Sequence, residues 1–191
     1  MKNDLLIITA LEAELNQDAL PAGVRIVFSG VGKINASIAT YQAIHQLKPS
    51  RIINFGTAGK INPRIHGLLE IGAVIQRDMN AEPLAPRGKT PYSHMPVRYL
   101  SSTGIYVCGT GDSFVNSHDD WLLQQKVDLV DMELFAIAAV AHHHGIPWQS
   151  FKFITDDANE SAGAEWQGKV SHGHELYINK LHEVLESLKM S

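Results

Sequence analysis

Short apolar runs alternate with stretches of helical periodicity along this chain. Leu5 to Thr9 and Val24 to Phe28 read as the first two strands. Ile34, Ile38, Tyr41, Ile44 and Leu47 then recur three to four residues apart, which predicts a helix over 34–47 that Pro49 and Ser50 end. Arg51 to Phe55 is a third strand feeding Gly56-Thr57-Ala58-Gly59, and Ile71 to Gln76 and Ile105 to Cys108 are two more. Val127 to Val130 is a short strand. Leu134 to His144 is an Ala-rich helix stopped by Gly145 and Pro147, and Trp148 to Thr155 is the last strand. Leu181, Val184, Leu185 and Leu188 form one apolar stripe on a C-terminal helix.

Strand and helix in alternation are the signature of βαβ units. The expected fold is α/β, three layers with a mostly parallel central sheet between helices. The irregular part is Met79 to Ser102, with four of the eight prolines and no periodicity. A loop of that length is functional or mobile, and we expect an excursion over a site rim or into a subunit interface. With 191 residues and no repeat or linker, one domain over 1–191 is expected.

A net charge of −4 without a basic run gives no polyanion-binding surface, so nucleic acid is not an expected partner. The single Cys108 excludes an internal disulfide and a Cys-based zinc site, and its strand position suits a core thiol. The apolar run after Met1-Lys2-Asn3-Asp4 is short and gives way to Glu12 and Glu14, which suits a buried strand better than a signal peptide. No segment reaches membrane-spanning length, and the cytoplasm is the expected compartment. Consecutive residues His142-His143-His144 point in different directions on a helix, so no metal site is expected.

The chemistry-bearing residues fall where strands end. Val130-Asp131-Met132-Glu133 opens an apolar helix, and Ile154-Thr155-Asp156 closes the last strand, with Asp157 beside it and Lys152 before it. Ala10-Leu11-Glu12-Ala13-Glu14 follows the first strand, and Ser29-Gly30-Val31-Gly32-Lys33 the second. Carboxylates at neighbouring lips of one sheet stand where open α/β folds bind ligands. Each also has a plainer reading: Glu12 and Glu14 as first-turn acids, Asp156 as an Asx turn, Phe114 as a core aromatic. The phosphate-loop pattern fails after Gly30, since Ile34 stands where a hydroxyl is needed, and G-x-G-x-x-G is incomplete as well.

Taken together these segments resemble the nucleoside phosphorylase and nucleosidase superfamily, and within it the methylthioadenosine/S-adenosylhomocysteine nucleosidases. The resemblance implies hydrolysis of the N-ribosidic bond of a purine nucleoside to free base and sugar, by carboxylates in separate roles. Glu14 matches the water-activating glutamate, with Glu12 as the alternative. Asp156 matches the aspartate that protonates the purine at N7. Glu133 would accept the ribose hydroxyls, with Met132 packed under the sugar and Asp131 in place of a frequent glutamate. The turns carrying Val31 and Gly32, and Thr57, Ala58 and Gly59, border the ribose and the water position. Gly109-Thr110-Gly111-Asp112-Ser113-Phe114-Val115 resembles the segment whose aromatic, here Phe114, stacks on the purine, while backbone near Val115 reads its edge. No cofactor is implied. Homo-oligomers, typically dimers, are usual in the family, and Met79, Leu84, Tyr92, Met95 and Tyr99 suit such a contact.

The chain is short for that family around 79–102, where a helix and longer lid are expected. Phosphorylases of the superfamily hold phosphate through arginines near the second and third strands. None stands beside Gly30 or Thr57 here, and Arg64, Arg77 and Arg87 are read as free rim residues. Hydrolysis is therefore expected over phosphorolysis. A non-catalytic nucleoside-binding relative is the alternative of another class.

Overall fold

The computed structural model describes residues 5–169 and 171–189; residues 1–4, read above as preceding the first strand, lie outside them. The chain runs β1 (Leu5–Thr9), a 3-10 turn (Gln17–Ala19), β2 (Arg25–Phe28), α1 (Lys33–Leu47), β3 (Arg51–Lys60), β4 (Leu68–Gln76), β5 (Arg98–Leu100) and β6 (Tyr106–Thr110). It continues with α2 (Asp120–Gln124), β7 (Leu129–Asp131), α3 (Leu134–His143), β8 (Trp148–Asp156), α4 (Ala162–Lys169) and α5 (His174–Lys189).

The strands join in one mixed sheet, which corrects the mostly parallel sheet expected from the sequence. β1 pairs in parallel with β2 and β3, β3 with β8, β4 with β6, and β6 with β7. β3–β7, β4–β8 and β4–β5 are antiparallel. Strand length is the reason for the first two, and the third comes from β5, which lies in the stretch read as irregular. β3 and β4 run to ten and nine residues, well past the apolar runs that announced them. Their extra length bends round to meet strands of opposite direction, and β3, β8, β4, β6 and β7 close into a ring.

Both faces of β1 are covered, which is why its sequence is continuously apolar rather than alternating. Leu6 and Ile8 pack with Ile52, Ile71 and the α3 residues Leu134, Ile137 and Ala141. Leu5 and Ile7 pack with Ile53, Phe55 and Phe151 against Tyr177, Leu181 and Val184 of α5. The helical stripe of α1 splits: Ile44 is buried, whereas Ile34, Ile38 and Tyr41 are exposed. The buried face is Ala36, Thr40, Ala43 and Ile44, small residues that let α1 lie close to α3.

The 79–102 stretch is not wholly irregular. It carries β5, antiparallel on β4 and at a sheet edge, and an isolated bridge between Ala81 and Ala85. Arg87 ties it down through two hydrogen bonds to Asp119 and one to the Arg77 carbonyl, with its guanidinium 4.5 Å over the Trp121 ring. Among the described residues no helix is long and apolar enough to cross a membrane.

Candidate active site

A cavity of about 260 Å³ opens at the lip of the ring, lined by residues from the loops after β1, β2, β6 and β8, from β3 and from the β7–α3 junction. It collects Glu14, Val31, Thr57, Ala58, Gly59, Phe114, Val115, Asp131, Met132, Glu133 and Asp156. Every candidate from the sequence lies there but two. Glu12 is exposed on the outside of its turn, whereas Glu14 lines the cavity. Gly32 touches the site through its backbone, donating its N–H to Glu133 Oε1 at 3.0 Å. That residue sits at φ +92°, in the region that favours glycine, and precedes the first turn of α1.

Glu14 is the most constrained carboxylate. Its Oε2 accepts from the Thr9 hydroxyl (3.0 Å) and from the N–H groups of Ala10 and Leu11 (both 3.1 Å). Its Oε1 accepts from the Thr57 N–H (2.9 Å) and the Thr57 hydroxyl (2.8 Å). The tight turn closed by Glu14 N–H to the Leu11 carbonyl folds the side chain back under β1, leaving it 3% exposed.

Asp156 owes its position to a β-bulge. β3 and β8 keep step up to Ala58 opposite Ile154, then slip so that Gly59 faces Asp156, with Thr155 as the extra residue. Such a bulge re-aims side chains at a sheet rim. Asp156 Oδ2 accepts from the Thr155 hydroxyl (2.8 Å) and Oδ1 from the Ala158 N–H (3.0 Å). Burial raises its carboxyl above the ordinary carboxylate range against the pull of these two donors, and the nearby charges of Glu165 and Asp157 add to the rise. A carboxyl that keeps its proton longer suits a general acid.

Behind the cavity lies an ionic cluster. Lys152 Nζ pairs with Asp131 Oδ2 at 2.7 Å, and both side chains are sealed from solvent. Asp131 also accepts from Thr110 Oγ1 (2.5 Å), from the Cys108 thiol (3.3 Å) and from the Leu134 N–H (2.9 Å). Its carboxylate therefore works inward, as a strut and helix cap, although the residue borders the cavity. Burial opposes ionisation of Asp131, but Lys152 and these hydrogen bonds hold its carboxyl below the ordinary range. Glu133 lacks such a partner: burial, then the charge of Asp131, pushes it up to about 7. Cys108 is a buried core thiol, as expected, and burial drives its thiol upward.

Arg77 and Trp166 line the cavity and were not foreseen as site residues. Arg77 and Arg87, read as free rim arginines, are neither. Arg87 is paired with Asp119 (2.6 Å), and Arg77 is buried, donating to the carbonyls of Gly111 and Ser113 and to Ser113 Oγ (3.3 Å). It clamps the loop that presents Phe114 and Val115. Lys33 is likewise engaged, with Asp78 at 2.5 Å and Asp112 at 3.8 Å. Trp166 stands across the cavity from Phe114, ring centroids 6.3 Å apart. Its signal in the sequence was a lone aromatic in a polar stretch downstream of Asp156. Among the described residues no group of three or more His, Cys, Asp or Glu is placed to hold a metal ion.

A profile of the Phosphorylase superfamily matches residues 22–188, most of the chain and every strand of the ring. The chain belongs to the phosphorylase superfamily. Among superfamily relatives, the 5′-methylthioadenosine/S-adenosylhomocysteine nucleosidase of Staphylococcus aureus strain MRSA252 is 30% identical over 168 residues, covering 73% of this chain and 71% of its own. That of Anoxybacillus flavithermus is 28% identical over 196 residues, covering 85% and 83%. The fold of this superfamily member is similar to that of a Helicobacter pylori MTAN mutant crystallised with 5′-methylthioadenosine in the active site. There the TM-score is 0.87 at 19% identity, with 98% of this chain and 100% of the other covered.

Proposed function

We propose that this chain is a nucleosidase that hydrolyses the N-ribosidic bond of a purine nucleoside of the 5′-methylthioadenosine/S-adenosylhomocysteine type, releasing free base and sugar. The observation that carries the reading is the convergence of Glu14, Glu133 and Asp156 on one cavity, from three different loops. Glu14 takes a proton from the attacking water, whose oxygen bonds to C1′ as the bond from C1′ to the base nitrogen breaks. Asp156 gives its proton to N7, so the purine leaves neutral. Glu133 accepts the ribose hydroxyls over Met132, and Phe114 stacks on the base. Spreading these tasks over carboxyls in unlike surroundings is how one site runs acid and base chemistry together.

Water rather than phosphate as the nucleophile is supported by the charges. The cations near the site are already engaged, Lys33 by Asp78 and Asp112, Lys152 by Asp131, and Arg77 by the carbonyls of Gly111 and Ser113. A phosphate would meet the carboxylates of Glu14 and Glu133 instead. A homodimer belongs to the same reading: Ile34, Ile38 and Tyr41 of α1, and Leu84, Tyr92, Met95 and Val97 of the 79–102 stretch, expose apolar surface, whereas Tyr99, expected in such a contact, is buried in the core. A cytoplasmic setting goes with it.

The test is release of adenine from methylthioadenosine and S-adenosylhomocysteine, with and without phosphate, beside an Asp156→Asn control. Phosphate-independent release that the control lacks is the expected result. Strict phosphate dependence would make the chain a phosphorylase, and binding without release would make it a nucleoside-binding relative.

A further inference from the structure

Trp166 has no part in the reaction described above, yet it lines the cavity. It sits in α4, one helical turn after the buried Ala162, on the segment that continues from Asp156. Its indole Nε1–H donates to Thr57 Oγ1 at 2.8 Å, and Thr57 Oγ1 lies 2.8 Å from Glu14 Oε1. The direction of this relay follows from donor and acceptor capacities. An indole N–H only donates and an ionised carboxylate only accepts, so the single proton of the Thr57 hydroxyl has to point at Glu14.

We propose that Trp166 is a positioning residue for the hydrolysis: acting through Thr57, it fixes the hydrogen-bonding direction at Glu14 Oε1 while Glu14 receives the proton of the attacking water. The inference rests on the nucleosidase reading. Without the indole N–H, the Thr57 hydroxyl loses the donor that polarises it, and its hydrogen bond to Glu14 Oε1 weakens beside that of the Thr57 N–H. The same helix links the two ends of the reaction. The loop that holds Asp156 through the Ala158 N–H continues into α4, which delivers Trp166 to the side of the base. A phenylalanine at this position would preserve the ring facing Phe114 and lose only the relay.

The test is therefore Trp166→Phe, alone and combined with Thr57→Val. One hydrogen bond of ordinary strength corresponds to about a five-fold change in rate. The expected result is a fall of about that size in kcat with KM little changed, and no further fall when Trp166→Phe is added to Thr57→Val. Equal losses in both backgrounds would assign Trp166 a packing role only, and no loss in the wild-type background would also overturn the proposal. A second measurement needs no substrate. The chain has three tryptophans, and Trp166→Phe identifies which indole N–H resonance is that of Trp166. Its hydrogen exchange should quicken roughly ten-fold in Thr57→Val if it loses about 1.4 kcal/mol of protection; unchanged exchange would overturn the relay. Should the wild-type protein release no base at all, the nucleosidase reading fails by itself, and the exchange measurement decides the relay.

Discussion

Lys152 Nζ and Asp131 Oδ2 meet at 2.7 Å behind the cavity floor, with neither side chain reaching solvent. Lys152 lies inside β8 and Asp131 ends β7, so the pair bridges two strands that are not hydrogen-bonded neighbours. One buried cation faces two carboxyls, Asp131 and Glu133, and the one in direct contact takes most of its charge. Asp131 is held down while Glu133 rises to about 7. Burial opposes the charge on Lys152, but the two carboxylates overcome it and hold the ammonium protonated.

Lys152→Met should be strongly destabilising, because it leaves Asp131 charged, buried and unpaired. Breaking such a pair from one side costs on the order of 3–5 kcal/mol, whereas neutralising both partners is far milder. Denaturant unfolding of Lys152→Met against the double variant Lys152→Met/Asp131→Asn checks this. A double variant as unstable as the single one would show that the pair does not set the loss.

Glu133→Gln should abolish activity while stabilising the fold, and only above a certain pH. The folded carboxyl titrates near 7 against an ordinary 4.5, so between these values the folded state binds more protons than the unfolded chain. Unfolding free energy therefore falls as pH rises through that window and levels off above it. The loss is on the order of 3 kcal/mol at most. A glutamine keeps an acceptor for the Gly32 N–H and never ionises. Melting curves at pH 5 and pH 8 should show the variant gaining on the wild type at pH 8 and matching it at pH 5.

Glu165→Gln should shift the alkaline limb of kcat to lower pH. On the proposed mechanism Asp156 acts as an acid only while protonated, so activity should fall as pH rises through its raised pKa. Burial is the main cause of that rise, and the charge of Glu165 contributes. Removing the charge lets Asp156 ionise sooner. The expected displacement is a few tenths of a pH unit, since a partly exposed charge is screened. A limb that stays in place would mean that Glu165 does not act on the acid.

Much of this site was legible because its chemistry sits in short runs at strand ends. Glu133 after Met132 and Asp156 after Thr155 stand out as strand-end carboxylates, the family resemblance implies their roles, and both lie in the cavity. The Glu12 or Glu14 choice was not decidable that way, since it depends on a turn that tucks one acid under Thr9 and Thr57 and leaves the other outside. Arg77 was misread for a similar reason: its role lies in carbonyls more than thirty residues away, which no local pattern reports. The strand runs located the sheet but not its mixed direction. Apolar patterning shows which residues are buried, not how far β3 and β4 extend before they meet strands of opposite sense. Likewise the spacing in α1 identified a helix, but Ile34, Ile38 and Tyr41 lie on its exposed side.

Gly59→Ala separates the bulge from the rest of the site. Gly59 faces Asp156 where β3 and β8 slip register, and a methyl group there would collide with Asp156 Oδ1 and lie 3.3 Å from the Ala158 Cβ. Its backbone is ordinary, so the requirement for glycine is room rather than conformational freedom. The acid has to yield, because β3 is held on both sides by β8 and β7. Displacing Asp156 should break its hydrogen bond from the Ala158 N–H and, on the proposed mechanism, misdirect the proton that goes to the purine. An error of about 1 Å in a reacting group costs on the order of 10²-fold in rate. We therefore expect kcat to fall by about that factor, with melting temperature changed by only a few degrees if the perturbation is about 1 kcal/mol. An active Gly59→Ala enzyme would mean that Asp156 does not act from the position the bulge gives it.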